Sequence, residues 1–232
     1  MDPWLFRRIS VRYLSAGQAS DVIGRVIHRT DSEVQLMRRE GQIEIVPVHD
    51  IIAAREVPDT ERRLRSPAET SRAIIDAMIA RVSGPDSGAD DAAGRVFVAD
   101  VRDWDFTPSV PVTVLEQPDA LWLKLERAHV PNDPRDAANR PETHPLLQTF
   151  LRRDDSAIAR AVLCGDWFTL DRVWLAEGEA AQNPQADLSA LFIEGARWAQ
   201  ARGAFFAWFA VLGADGTPLL PLADLGFAEH RN

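Results

Sequence analysis

Cysteine, tyrosine and lysine each occur once in the 232 residues, and each scarcity removes a class of chemistry. Cys164 alone cannot close an intrachain disulfide, which fits a reducing compartment. Its apolar setting, Ala161-Val162-Leu163-Cys164-Gly165, predicts a buried, inert thiol, because a reactive thiolate needs an accessible, electropositive neighbourhood. Tyr13 is the only tyrosine, so no phenolic acid is available elsewhere in the chain, and Lys124 stands alone against 25 arginines. There is no zinc-type spacing of Cys and His. No stretch reaches the about 20 apolar residues of a membrane span, and the arginine-rich start lacks the apolar run of a signal peptide, so the expectation is a soluble cytoplasmic protein. Positive charge is also short: the net charge is −9, which argues against non-specific binding to nucleic acid or an anionic membrane. The deficit is local. Through Arg65 there are 11 arginines and 10 carboxylates, a net of +1, and the remainder holds 15 basic against 25 acidic residues, a net of −10.

The 46% hydrophobic content is enough for a packed core, and the length allows two unequal domains; residues 1–60 and 66–232 are expected to be those domains. Period-two runs at 9–14, 22–29, 34–39, 43–48 and 52–57 read as strands. Five short strands in about 50 residues bury two faces poorly as an open sheet, which predicts a small SH3-like β-barrel, with Gly17, Gly24 and Gly41 at turns or a bulge. The polar stretch 58–67 marks the boundary. Ser66-Pro67-Ala68-Glu69 has the residue order of a helix start, and Ile74, Ile75, Met78, Ile79 and Val82 follow at helical spacing.

Beyond a Gly/Asp-rich loop at 84–94, strands are expected at 96–101 and 110–115, a helix at 120–128, a proline-rich loop at 130–145 and a short helix at 146–153. Strands at 157–163 and 167–175 flank a hairpin-type turn, Gly165-Asp166. A long helix is predicted over 187–202, with Gly203 as its stop. The apolar run 205–212 suits a central strand covered on both faces. The fold class is α+β or α/β with a mixed sheet.

This order, together with Trp198-Ala-Gln-Ala-Arg-Gly203-Ala204 and Asp215…Leu225-Gly226-Phe227, resembles the second half of a GNAT-superfamily N-acetyltransferase, with a shortened first half; the match is best over 112–232. Val11-Arg-Tyr…Asp21-Val-Ile-Gly24-Arg…Val46-Pro47…Ile51-Ile-Ala-Ala-Arg55-Glu-Val-Pro58 is similar to the SH3-like module that precedes this domain in one bacterial group. The resemblance implies acetyl transfer from acetyl-CoA to an amine. It implies that strands 167–175 and 205–212 are parallel neighbours that splay apart, with pantetheine along the freed edge that ends at Leu175 and the pyrophosphate on backbone N–H groups at the next helix start. The family writes that loop as Arg or Gln, two residues, Gly, one residue, Gly or Ala. Counting back from Trp198, Asn183, Ala186 and Leu188 hold those positions, and none has the expected residue. Asp215 occupies the place of a cofactor-contacting Asn, and Leu222 that of a tyrosine acid, which leucine cannot replace. The chain therefore reads as an acetyltransferase, or as a non-catalytic binding or regulatory derivative of that fold.

Several candidates carry two readings. Asp187 would repel a pyrophosphate, and the preferred reading makes it the helix N-cap. Glu177 stands where the family often keeps a general base, against a solvated loop carboxylate. His129 and His144 are isolated possible bases; His49 reads as a corner residue and His230 as a solvated terminal one. Trp104, Trp122, Trp167, Trp174, Trp198 and Trp208 are read as core. The acceptor amine is open, and neither membrane nor nucleic acid is an expected partner.

Overall fold

A computed structural model describes residues 4–38, 42–58, 66–83, 95–129, 147–176, 183–211 and 223–231. The chain divides into two compact units, Met1–Leu64 with Cys164–Asp166, and Arg65–Leu163 with Trp167–Asn232.

In the first unit, β1 (Arg8–Ser15), β2 (Gln18–Arg29), β3 (Glu33–Met37), β4 (Ile43–Pro47) and β5 (Ile51–Glu56) form one antiparallel sheet in the order β4-β3-β2-β1-β5. Alternation places Ile9, Val11, Tyr13, Val22, Val34, Leu36 and Val46 on one buried face, as the period-two side-chain geometry of strands requires. Among the described residues no pairing joins β4 to β5, so the strands form a five-stranded sheet rather than a closed barrel. Gly17 takes φ +79° in the β1–β2 turn, a conformation that glycine adopts without a Cβ clash. Gly24 sits mid-strand opposite Ile9 rather than at a turn, and the β2–β3 irregularity falls between Val26 and His28.

The second unit is a mixed seven-stranded sheet with helices. Its elements are α1 (Arg72–Ser83), β6 (Arg95–Asp100), β7 (Thr113–Leu115), α2 (Ala120–His129), β8 (Leu147–Arg153), β9 (Ala157–Cys164), β10 (Trp167–Leu175), α3 (Pro184–Gln200), β11 (Phe206–Val211) and β12 (Ala228–Glu229). The strand order is β12-β6-β11-β10-β9-β8-β7. Ser66 makes no side-chain cap; Pro67–Glu69 is a single 3-10 turn, and α1 begins only at Arg72. The helix expected over 146–153 is strand β8, paired along its length with β9 from Leu147↔Leu163 to Arg153↔Ala157. Leu147, Phe150 and Leu151 satisfy helical spacing too, and the neighbouring strand decides between the two periods.

Helix α3 packs on one sheet face. Leu188, Leu191, Phe192, Ala196 and Ala199 meet Leu151, Ala159, Ala161, Phe168, Leu170 and Ala207 in an apolar core, joined by Leu225 and Phe227. Gly203, at φ +88°, follows the helix end. On the opposite face Trp122 and Leu125 of α2 pack with Phe150 and Ile158. No helix among the described residues is long and apolar enough to cross a membrane.

Candidate functional site

The candidate site lies where the ladder between β10 and β11 stops. These strands are parallel neighbours, paired only at Trp167↔Phe206 and Phe168↔Ala207; beyond that step β10 continues to Leu175 and β11 to Val211 with no further pairing between them among the described residues. The parallel pairing expected from the sequence is present, and it ends after these two steps. Arg172 sits inside β10 at φ +51°, a region that non-glycine residues rarely occupy and one that turns a strand away from its ladder. Its guanidinium donates to Glu126 of α2 at 2.5 Å, which anchors the kinked segment to a helix.

Helix α3 starts on the C-terminal side of β10, earlier than the sequence suggests. Its N-cap is Asn183, whose Oδ1 accepts from the Ala186 N–H at 3.1 Å, with Pro184 in the first turn. Pro184 is well suited to that position because its missing N–H would be unsatisfied there. The N-cap role given to Asp187 thus belongs to Asn183. Asp187 lies in the first turn at 2% exposure, bound by Arg153 of β8 at 2.6 Å. Arg153 neutralises the carboxylate that would otherwise repel a phosphate. The sequence does not announce this partner, because a helix over 146–153 would point Arg153 elsewhere.

Of the remaining positions, Leu175 closes β10 and packs partly against the core, Ala186 is half-buried, and Leu188 is fully buried beneath α3. Glu177, Asp215, Leu222 and His144 lie outside the described residues. His129 is the last residue of α2, and His49 is exposed beside Asp50. His230 is not solvated: it is buried, with Nε2 at 2.7 Å from the Thr70 carbonyl. The Tyr13 hydroxyl donates to Glu44 at 2.9 Å, and that bond raises its pKa. Trp122, Trp167 and Trp208 are core residues, whereas Trp104, Trp174 and Trp198 are only partly buried against it. Cys164 is buried, as its surroundings predict.

A family described as "Probable histone acetyltransferase Rv0428c C-terminal" has a sequence model that matches residues 32–232. The chain belongs to that family. No curated protein matches it. Among solved structures it is similar to a GCN5-related N-acetyltransferase from Kribbella flavida, at 14% identity and TM-score 0.40, over 59% of this chain and 54% of that one. A putative lysylphosphatidylglycerol synthetase C-terminal domain from Agrobacterium fabrum matches at 13% identity and TM-score 0.34, over 57% and 49%. A functionally unknown conserved protein from Staphylococcus epidermidis matches at 8% identity and TM-score 0.40, over 89% and 90%. The match spans about half the length of the first two. Membership of an acetyltransferase family agrees with the GNAT-type resemblance read from the sequence.

Proposed function

We propose that the larger unit is an acetyl-CoA-dependent N-acetyltransferase domain, with the donor in the opening between β10 and β11 and an amine on a basic peptide or protein as acceptor. The carrying observation is the ladder that ends after Phe168 and Ala207. It frees the β10 edge from Thr169 onward, and an extended chain with two amides can add to such an edge as a further strand would. The donor supplies an activated thioester: the amine nitrogen bonds to the carbonyl carbon as the C–S bond breaks, the amine loses a proton, and CoA leaves as the thiol. Glu177 is the candidate to accept that proton. Leu222 cannot give one to the thiolate, so water or another group must.

The cradle for the diphosphate is narrow. Pro184 has no N–H and the Ala186 N–H is bound by Asn183, so these two constraints leave Asn183 and Gln185 as the first-turn donors. Because Arg153 holds Asp187, the helix start carries less uncompensated negative charge than the sequence suggests. The name of the family mentions histones, and a net of −10 over residues 66–232 suits a cationic acceptor. We read residues 1–60 as an SH3-like module accompanying this domain, and the protein as cytoplasmic.

The self-capped start of α3 favours a second reading, a domain that keeps the fold without the donor. Thermal unfolding separates the two, since a ligand that prefers the folded state raises its stability. Acetyl-CoA is expected to raise Tm in a concentration-dependent manner, and thiol release is expected when a lysine-bearing basic peptide is added. A Tm unchanged at millimolar acetyl-CoA would leave the second reading standing.

A further inference from the structure

We propose that the indole N–H of Trp208 is the hydrogen-bond donor to the acyl carbonyl of the thioester, with the Thr169 hydroxyl at the matching step of the facing strand. This rests on the acetyltransferase reading above. Trp208 is 4% exposed, and its buried Nε1 has no hydrogen-bond partner among the described residues. The indole of Trp122, equally buried, donates to the Ala159 carbonyl at 3.4 Å, so burial of an indole in this sheet does not by itself strand its N–H. Leaving a buried donor unmet is costly, and native structures retain few such groups.

Its position supplies the reason. Trp208 is the first residue of β11 beyond the last pair with β10, and Thr169 is the first of β10 beyond that pair. Alternation puts both on the sheet face shared by Trp167 and Phe206, away from the face where Phe168, Leu170 and Ala207 meet α3. Thr169 is 1% exposed, and its hydroxyl donates to the adjacent Leu170 carbonyl at 3.2 Å, a bond to its own neighbour in the strand. Two buried polar side chains therefore mark the point where the strands part. Indole is donor-only and otherwise apolar, which suits it to an acyl group: it can line the methyl side and still bind the carbonyl oxygen.

The test follows indole N–H signals in 15N-tryptophan-labelled full-length protein, with the Trp208 signal assigned by its loss in W208F, or by sequential assignment should that variant misfold. Acetyl-CoA should move this signal downfield, while CoA, which lacks the acyl carbonyl, should leave it in place. W208F should weaken acetyl-CoA binding about fivefold, the worth of one hydrogen bond, and leave CoA binding unchanged. The proposal is overturned if the signal moves equally with both ligands, if it stays fixed while others respond to acetyl-CoA, or if W208F weakens both ligands alike. If neither ligand changes any indole signal or the Tm, the acetyltransferase reading fails and takes this assignment with it.

Discussion

Asp187 carries a charge into the first turn of α3, and its partner decides what that charge does. The helix dipole favours an anion there, but a carboxylate at 2% exposure has lost most of its water and needs a partner. Arg153, whose side chain is 19% exposed, contacts it at 2.6 Å and keeps the pair together. Breaking such a pair from one side leaves the other ion without compensation. Asp187→Asn should therefore lower stability by about 2 kcal/mol, less than a fully buried pair because Arg153 retains some water; urea denaturation at pH 7 measures it. Replacing both residues by apolar ones of similar size should recover most of that loss. A destabilisation under about 0.5 kcal/mol, the level of surface substitutions, would mean that solvent has taken over the role of the partner. The same variant tests the site: if Asp187 is structural, the Tm gain from acetyl-CoA survives in it.

Elements repeat the lesson that short-range pattern and long-range neighbours can disagree. Apolar patterning and turn chemistry locate β1 to β6, β9, β10, α2, α3 and β11 to within a few residues, because each carries one clear period or, as in β11, an apolar run of strand length bounded by turn residues. β8 does not, and only its ladder with β9 identifies it as a strand; with it went Arg153, the residue that resolves Asp187. The parallel relation of β10 to β11 was legible through the family resemblance, whereas the positive φ of Arg172 was not, since nothing in Asp171-Arg172-Val173 announces a left-handed residue. The sequence places Trp208 in the core, where it is buried, but an N–H left without a partner among the described residues is a tertiary property that no spacing encodes. The sequence suggests a turn or bulge at Gly24, and the structure places it mid-strand, where β2 lies against β3 without room for a side chain. A Cβ there would meet the Met37 carbonyl oxygen at 2.9 Å and the Leu36 Cβ at 3.1 Å. Since the obstacle is backbone, Gly24→Ala should cost about 1–3 kcal/mol, the range for forced overpacking, read as a lower urea midpoint. A neutral outcome would mean that β2 and β3 shift apart to admit the methyl group without loss.

At the scale of the whole chain, charge is the property that the sequence distributes most unevenly. A net of +1 through Arg65 against −10 beyond it puts the acidic excess in the part that carries the β10–β11 opening. Such a field attracts cationic chains and repels anionic ones over distances beyond contact, and salt screens it with a Debye length of about 10 Å at 0.1 M. If the acceptor is a basic peptide and the donor acetyl-CoA, as proposed, the field is what brings the peptide in, whereas the polyanionic donor would have to bind against it through backbone and short-range contacts. The two substrates should then respond oppositely to ionic strength. Raising salt from about 0.05 M to 0.5 M shortens the screening length roughly threefold; it should raise KM for a lysine peptide flanked by arginines several-fold and leave KM for acetyl-CoA unchanged or lower. A lysine peptide flanked by glutamates should be the poorer substrate at low salt and approach the other as salt increases. Equal salt dependence for both peptides would separate acceptor choice from net charge and place it in the local shape of the cleft.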